Sequence, residues 1–189
     1  MSSSQINAKE EFLNKLYDDY HYKIPKFQRP FSWTEENFVD LIDDLIDAYE
    51  VGYNAHGRLL DSSNELNKST LDRYEPYFLG SLILNDGNDS GEHSDIIDGQ
   101  QRLTSLAILI AVLRDLVDDE ARAQSLGGLI YEESDPIKVK SETVRIKIRE
   151  RDREFFDRHV LTEEATTEAP NPETGGTEPE QNILQAIQT

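Results

Sequence analysis

The stretch from residue 95 to residue 113 reads DIIDGQQRLTSLAILIAVL and decides the fold. Its first residues, Asp95–Asp98, have the apolar content of a short strand, and Gly99 lets the chain turn sharply. The pattern that follows predicts a helix from about Gln101 to Val117 that is apolar on almost every side. Such a helix is normally buried in the centre of a core. We therefore expect a strand–turn–helix unit around which the other elements pack.

Segments on both sides of this unit show the periodicities of helices and strands. Apolar residues three and four positions apart indicate helices, and short alternating or continuous apolar runs indicate strands. In chain order the other predicted elements are a helix over 4–18 with Phe12 facing inward, a short strand over Tyr22–Ile24, a helix capped by Ser32 or Thr34 and extending to Tyr49, a strand over Tyr77–Leu84, a strand with one basic face over Thr143–Arg149, and a short helix over Arg151–Val160. This mixture predicts an α+β protein with a small sheet.

The end of the chain has a different composition. Residues 161–180 hold six Glu, five Thr, three Pro and two Gly and neither Lys nor Arg, which is typical of a flexible linker. Residues 181–189 resume a helical pattern. We therefore expect one domain over residues 1–160, an acidic linker over 161–180, and the start of a further helix over 181–189 in a chain truncated from a longer protein.

The composition limits the classes of function. The chain has 189 residues, with 19 Lys and Arg against 38 Asp and Glu, and a formal net charge of −19. Such acidity argues against a protein that holds phosphate over its whole surface by bulk charge, but it leaves a local basic site open. Since the chain has no cysteine, thiol catalysis, disulfide bonds and cysteine zinc sites are excluded.

The same counts bear on the environment of the protein. The sequence has no apolar run of about 18 residues and no apolar signal-peptide core, so we expect a soluble cytoplasmic protein outside the membrane. A large surplus of carboxylates with few lysines is typical of proteins from molar salt, where the Debye length is only about 3 Å. We therefore expect a halophilic protein, the alternative being an ordinary protein with an acidic tail.

The junction after Asp98 is the part of the sequence best suited to chemistry. A helix N-terminus directs free backbone N–H groups at a ligand, and Arg102 adds a fork of donors that suits phosphate. Gln100 and Gln101 can hold a phosphate oxygen or orient a water, and Thr104 adds a hydroxyl one turn into the helix. Asp98 can bind a metal ion or orient the attacking water. The structural alternative is that Asp98 only caps the helix and Arg102 pairs with a surface acid.

A second cluster lies upstream, in a loop that Pro25 and Pro30 stiffen. Basic and aromatic side chains are interleaved there, which is unusual in so acidic a chain and favours contact with nucleic acid. The alternative is that the aromatic residues belong to the core and Arg29 is a solvated charge. Together with the basic strand, the residues assigned to DNA binding are Lys26, Phe27, Phe31, Trp33, Arg145, Lys147 and Arg149.

Four segments in this order resemble the N-terminal domain of the GmrSD-type modification-dependent restriction proteins, a domain shared with SspE-like effectors of phosphorothioate-based phage defence and with BREX-associated relatives. The segments are YKIPKFQRPFSW (22–33), YFLGSLIL (77–84), DIIDGQQRLTSLAILIAVL (95–113) and TVRIKIRERDREFF (143–156). The resemblance covers about residues 10–160, with Phe27 where the family often has Tyr. It implies a fold similar to ParB and sulfiredoxin, with a small mixed sheet and a buried central helix after the DGQQR loop.

The resemblance also implies a function. The DGQQR loop would bind and hydrolyse a nucleoside triphosphate with Mg²⁺, the domain would sense modified DNA, and a C-terminal HNH-type nuclease domain outside this chain would cut. No nuclease activity is expected of this chain alone. The expected catalytic residues are Asp98, Gln100, Gln101 and Arg102, the expected nucleotide-binding residues are Gly99, Gln28, Arg29 and Thr104, and the candidate metal ligand is Asp98. The alternatives are a module that binds modified DNA, for example phosphorothioate DNA, without hydrolysis, and a purely structural domain.

Overall fold

The computed structural model of the protein describes residues 8–19, 21–60, 66–85, 93–132 and 143–189. The helices in these ranges are α1 (Leu13–Asp19), α2 (Glu35–His56), α3 (Lys68–Leu71), α4 (Gln100–Leu116), α5 (Glu120–Ile130), α6 (Glu150–Phe156) and α7 (Glu178–Gln188). The strands are β1 (Tyr22–Lys23), β2 (Ile83–Asn85), β3 (Ser94–Asp98), β4 (Tyr131–Glu132), β5 (Thr143–Val144) and β6 (Ile146–Lys147). A π-helical turn over Asp157–Leu161 continues α6, and a 3-10 turn covers Pro172–Thr174.

Four of the strands form one small mixed sheet in the order β2-β3-β1-β6. β1 is parallel to both of its neighbours, β3 and β6, while β2 lies at one edge, antiparallel to β3. β4 and β5 form a separate antiparallel pair. The helices and this mixed sheet confirm the prediction of an α+β fold. The likeness to ParB and sulfiredoxin stays a prediction.

The helix that follows the DGQQR segment is the centre of the core, as predicted. α4 begins and ends one residue before the predicted bounds, and 11 of its 17 residues are buried. Ala107, Ile108 and Ala111 have no exposed surface, and they belong to one apolar cluster with Tyr22 and Ile96 of the sheet. Within the described ranges, no helix is long and apolar enough to cross a membrane.

The long helix α2 begins where the sequence predicts. Thr34 is its N-cap, and the Thr34 backbone N–H donates to Oδ1 of Asn37 at 3.2 Å, which ties the first turn together. The buried side chains Phe38 and Leu41 lie in its first half. The second half packs instead against Tyr74, whose ring occupies the space beside Gly52.

One predicted strand is wrong over most of its length, and another is divided in two. Within 77–84, only the last two residues join β2, because Gly80, with φ of 104°, interrupts the extended run. Within 143–149, the strand divides into β5, which pairs with β4, and β6, which pairs with β1. Arg145 lies at the break, where its side chain turns inward and Nε donates to the carbonyl of Gly128 at 3.1 Å.

The first helix is also shorter than predicted. α1 begins at Leu13, and Phe12, which was expected to face inward, is 64% exposed. Tyr17 of α1 is fully buried, and its hydroxyl donates to the carbonyl of Leu103 in α4. The predicted start of this helix, residues 4–7, lies outside the described residues.

The C-terminal segment differs from the expectation of a linker followed by a separate unit. α7 begins at Glu178, and its residues Ile183 and Leu184 are 1% and 0% exposed in the same apolar cluster as α4. Nε2 of Gln185 also donates to the carboxylate of Glu35 in α2 at 2.7 Å. The apolar face of α7 therefore completes the core of this domain.

A buried ion pair holds the segment between α6 and α7 against α4. The side chains of Arg114 and Asp115 are 5% and 2% exposed and are joined by a 2.6 Å contact. The Arg114 guanidinium also donates to the carbonyls of Val160, Leu161 and Thr162 at the end of the π-helical turn. The other Asp115 oxygen accepts from both the backbone N–H and the hydroxyl of Thr166. These bonds, which composition does not reveal, fix part of the expected linker.

Candidate functional site

The N-terminus of α4 lies at the end of strand β3, as the sequence predicts. Gly99 is the N-cap residue, with φ of 90° and ψ of 5°, and no side chain caps the helix. Because the first turn of a helix has no internal acceptors for its N–H groups, the backbone N–H groups of Gln100, Gln101 and Arg102 are left for an external partner. The carboxylate of Asp98 does not cap the helix. The capping role that the structural alternative gives to Asp98 is therefore not observed. Asp98 is exposed.

The two glutamines of the DGQQR segment contact the upstream loop. Nε2 of Gln100 donates to the carbonyl of Arg29 at 3.2 Å, and Nε2 of Gln101 donates to the carbonyl of Pro30 at 2.9 Å. Oε1 of Gln101 accepts from the backbone N–H of Ser32 at 2.7 Å. The sequence motifs predicted to act together are therefore in direct contact, through side-chain amides and loop backbone.

Further bonds tie the loop to its other neighbours. Nε2 of Gln28 donates to the carbonyl of Ile97 in β3 at 3.0 Å, and the Gln28 carbonyl accepts from Arg149 at 3.4 Å. The Arg149 guanidinium is otherwise bound to the carboxylate of Asp152, at 2.6 and 2.9 Å. Gln28 and Arg149 are thus engaged in bonds within the domain.

A small cavity remains between the loop and α4. Its volume is about 20 Å³, room for about one water molecule and too little for a phosphate group. Arg29, Gln100, Gln101 and Thr104 line it, and Oε1 of Gln100 is a buried acceptor without a partner among the described residues. Thr104 is only 3% exposed. The nucleotide roles predicted for these four residues stay predictions, and the space beside them suits water.

Arg102 points to the other side of the helix start. Its guanidinium packs against Gly80, where a Cβ would stand 2.6 Å from Nη1, and Nη1 donates weakly to the carbonyl of Ser81 at 3.4 Å. No carboxylate of the described part of the chain forms a salt bridge with it. The described residues therefore do not show the pairing of Arg102 with a surface acid that the structural alternative expects.

A cleft of about 310 Å³ opens beside Arg102, at the lower end of the usual range for ligand sites. Its lining residues include Trp33, Asp40, Asp44, Tyr77, Phe78, Gly80 and Arg102. One wall is therefore cationic, and another wall, on α2, carries two carboxylates one helical turn apart.

Tyr77 links the two walls of the cleft. Its hydroxyl donates to Oδ2 of Asp44 at 2.7 Å, and this hydrogen bond raises the pKa of Tyr77 above its ordinary value. Because the bond favours the protonated phenol, Tyr77 remains a neutral donor at ordinary pH. The hydroxyl therefore orients one of the two carboxylates of α2.

The described residues contain no group of three or more metal-ligating side chains. Mg²⁺, however, is usually held by one or two carboxylates together with phosphate oxygens and water. The exposed Asp98 at the end of β3 fits that kind of partial site, as do Asp40 and Asp44 on the cleft wall. The residues present thus fit a metal that arrives with a phosphate ligand.

The loop also has an outer face, which we call the basic surface (Lys23, Lys26, Phe27, Arg29 and Lys147). The backbone N–H of Gln28 donates to the carbonyl of Pro25 at 3.0 Å, closing a turn with Lys26 and Phe27 at its tip. Phe27 is therefore 78% exposed. Lys23 and Lys147 lie side by side in register on adjacent strands. Lys26 forms an ion pair with Glu150, which holds the pKa of that carboxyl below its ordinary value.

Four residues predicted to bind DNA lie elsewhere, and one of them, Trp33, lines the cleft beside Arg102. Phe31 is 8% exposed and belongs to the core, so the core alternative is correct for this ring. Arg145 is 9% exposed and bonds inward to Gly128. Arg149 is bound to Asp152. Of the three cations in the predicted basic strand, only Lys147 belongs to the basic surface. The basic face predicted for this strand is therefore not continuous.

Sequence reasoning missed several residues of the cleft. Asp40, Asp44 and Tyr77 line it together with Arg102, although nothing in their spacing indicates that α2 and the segment before β2 meet there. Gly80 was read as part of a strand. A glycine inside an apolar run often marks a close approach of another group, and here that signal was available.

Comparison with known proteins agrees with this arrangement. The family model described as GmrSD restriction endonuclease, N-terminal domain, matches residues 11–188. The match covers both contacting motifs, the cleft and α7, and it includes the residues expected to form a linker. No curated protein matches the chain significantly. Since the family model covers nearly all of the sequence, the chain belongs to the GmrSD restriction endonuclease N-terminal domain family.

Proposed function

We propose that this domain binds a nucleoside triphosphate beside the N-terminus of α4 and hydrolyses it, and that hydrolysis controls a C-terminal HNH-type nuclease domain of the same restriction protein. One observation carries the proposal. Arg102 lines a cleft of ligand size and has no salt-bridge partner among the described residues of a chain whose net charge is −19. An arginine left without an acid in such a chain is best explained by an anionic ligand.

The surroundings of Arg102 favour phosphate over other anions. The uncapped N-terminus of a 17-residue helix supplies backbone N–H groups and the positive end of its dipole. Gly99, with φ of 90°, lets the chain turn directly from β3 into the helix, and the Leu82 side chain packs where its Cβ would stand. Arg102 adds donors that match two phosphate oxygens at once. Helix and guanidinium together can stabilise the charge that develops as the terminal phosphoryl group leaves.

Asp98 and the carboxylates of the cleft have separate tasks in this proposal. Mg²⁺, when bound with the nucleotide, would neutralise phosphate charge. Asp98 is next to Gly99 and exposed, so its carboxylate can hold that ion or orient the attacking water. Asp40 and Asp44 make the α2 wall of the cleft negative. They keep phosphate groups on the Arg102 side.

A phosphate-release assay on this chain tests the proposal. Phosphoryl transfer depends on positioned charge, so Arg102→Ala should abolish measurable phosphate release. Arg158→Ala is the matched control, because Arg158 lies in an exposed ion pair with Glu154, and its rate should equal that of the wild type. Unchanged release in Arg102→Ala, or no nucleotide binding by the wild type, would contradict the proposal.

A second candidate function is recognition of modified DNA without hydrolysis, and the basic surface favours it. Phe27 is 78% exposed at the tip of a turn, with Lys26 beside it. Cations can contact the phosphate backbone, and an exposed ring can pack against a methyl group or a sulfur atom that water solvates poorly. The exposure of Phe27 is the observation that supports this role.

Binding to a modified and an unmodified duplex of the same sequence tests the second function. Phe27→Ala should reduce the preference for modified DNA about tenfold, which corresponds to about 1.4 kcal/mol. Phe12→Ala removes an equally large exposed ring, 64% exposed, from a different part of the chain and should leave the preference unchanged. Equal affinity of the wild type for both duplexes would count against modification sensing by this chain.

A further inference from the structure

We infer that Gln100 and Gln101 are positioning residues that clamp the loop Gln28–Ser32 onto the start of α4, and that this clamp links the basic surface to the cleft beside Arg102. The link between the basic surface and the cleft rests on our proposed function, because it concerns nucleotide hydrolysis in the cleft. The clamp itself can be measured without that reaction.

The hydrogen bonds show what the amides do. Both glutamine residues are 6% exposed, and their bonds to the loop backbone reach the carbonyls of Arg29 and Pro30 and the N–H of Ser32. This part of the loop belongs to no helix or strand, so these backbone groups need side-chain partners when they are buried. The glutamines supply those partners from the first turn of α4.

The chemistry of the clamp requires amides. Gln101 donates through Nε2 and accepts through Oε1 at once. A carboxylate at this position keeps the bond to the Ser32 N–H but places a negative oxygen against the Pro30 carbonyl. A hydrocarbon side chain leaves both loop groups without partners. Two consecutive glutamines are therefore explained by the loop backbone, without any contact to a substrate.

The space around the amides supports the same conclusion. The cavity beside Gln100 and Gln101 measures about 20 Å³, whereas the cleft beside Arg102 measures about 310 Å³. The smaller space is too small to hold a nucleotide. Gln100 and Gln101 therefore contact the loop on one side of the helix start, and Arg102 lines the cleft on the other side.

The clamped loop connects two surfaces along the chain. Phe27 and Lys26 lie on its outer turn, and Trp33, just after Ser32, is half-buried and lines the cleft. If the loop is held as one rigid piece, a ligand on the outer turn changes the cleft, and a ligand in the cleft changes the outer turn. Such coupling is reciprocal in binding free energy.

Trp33 provides a direct readout, because it is the single tryptophan of the chain. We expect Gln101→Leu and Gln101→Glu to raise the quenching of Trp33 emission by acrylamide and to shift the emission to the red. Arg102→Ala should do neither without ligand. Gln185→Leu is the control, because it removes an amide that bonds to the exposed Glu35 on the surface, and it should leave Trp33 emission unchanged.

Kinetics separate positioning from direct contact. The Gln101 variants should retain measurable phosphate release with kcat/KM lowered about 100-fold, because a displacement of about 1 Å costs that much, while Arg102→Ala abolishes release. Gln100→Met removes only the 3.2 Å bond to Arg29. It replaces the Gln101 variants in these experiments if those variants do not fold. It should lower kcat/KM less than they do and still increase the quenching of Trp33.

Two results would overturn the inference. One is an unchanged Trp33 signal in folded glutamine variants that have lost all turnover, which means that the amides act on the substrate. The other is an exposed Trp33 with wild-type kcat/KM, which means that the loop position does not matter. If the wild type releases no phosphate, the proposed function fails, while the fluorescence still decides whether the clamp exists.

Discussion

The guanidinium group of Arg102 lies so close to Gly80 that a Cβ at residue 80 would stand 2.6 Å from Nη1 and 2.7 Å from Cζ. Gly80 also has φ of 104°, a conformation that residues with side chains rarely adopt. The segment before β2 therefore passes Arg102 with only a hydrogen atom between them. The absence of a side chain at residue 80 sets where the arginine can lie in the cleft.

Gly80→Ala should displace Arg102 without removing it. The guanidinium is the flexible end of its side chain, so it yields to the new methyl group, while the positive φ costs about 1–2 kcal/mol of stability. We expect a lower Tm, and a loss of nucleotide affinity in the direction of Arg102→Ala. Isothermal titration calorimetry measures the nucleotide affinity, and thermal melting measures the Tm.

Gly128→Ala is the control for this substitution. A Cβ at Gly128 meets no atom within 4 Å, and the residue lies in α5, where alanine favours the helix by up to about 1 kcal/mol. Its stability should equal or exceed that of the wild type, with unchanged nucleotide affinity. Native nucleotide affinity in a folded Gly80→Ala variant would show that the position of Arg102 is not set by Gly80.

The ion pair of Arg114 and Asp115 should make stability depend on pH. Burial of Asp115 acts to raise its pKa, but the hydrogen bonds from Arg114 and Thr166 outweigh it and lower the pKa below 3.8. A carboxylate with a lowered folded pKa stabilises the fold above its unfolded pKa, and this contribution is lost as the pH falls through the folded value. Asp115→Asn should therefore destabilise the protein at neutral pH by about 3 kcal/mol.

Denaturant melts at several pH values check this prediction. The difference in free energy of unfolding between the wild type and Asp115→Asn should be largest above about pH 4 and should shrink at lower pH. Asp118→Asn changes an exposed carboxylate of the same segment and should have little effect at any pH. A constant difference from pH 7 to below pH 3 would show that ionisation of Asp115 does not contribute.

The centre of the fold could be predicted because its signals are local. The apolar run of α4, the glycine at residue 99 and the cap at Thr34 each act through neighbours in sequence. Residues of the DGQQR motif and of the upstream loop were assigned to one nucleotide site, and the bonds from Gln100 and Gln101 to that loop bring the two segments into contact. The space that the Arg102 side chain occupies depends on Gly80, far away in sequence.

Elements that depend on distant partners could not be predicted. The alternation of residues 143–149 is that of one strand, but Arg145 finds an acceptor at Gly128 and the strand divides there. The acidic composition of residues 161–180 is that of a linker, yet Arg114 supplies donors to its first carbonyls. In each case a buried arginine, whose partners the sequence does not show, decides the local structure.

Leu184→Ala should show that α7 is part of the cooperative unit. Leu184 is fully buried, and removing it leaves a cavity in the cluster that contains α4. Such substitutions cost about 2–5 kcal/mol, so the Tm should fall by several degrees in one transition. Leu116→Ala makes the same chemical change at a residue that is 65% exposed and should cost far less. Equal melting of both variants would mean that α7 does not support the core.

Salt should stabilise this protein, because its acidic groups outnumber its basic groups by two to one. Helix α2 shows the reason, since it carries seven acidic residues and neither lysine nor arginine. Asp43 and Asp47 lie one turn apart on it and repel each other. The Debye length falls from about 10 Å at 0.1 M to about 3 Å at 1 M, so added salt screens this repulsion. We expect the Tm to rise steeply with KCl concentration.

A charge variant distinguishes screening from a general effect of salt on apolar burial. Asp43→Asn combined with Asp47→Asn removes repulsion that is present only at low ionic strength. The Tm of this variant should exceed that of the wild type in dilute buffer, and the two values should converge in molar KCl. If salt acted on apolar burial instead, it would raise the Tm of the wild type and of the variant by the same amount. Full stability of the wild type in dilute buffer, with no gain from KCl, would refute the hypothesis that this composition is an adaptation to salt.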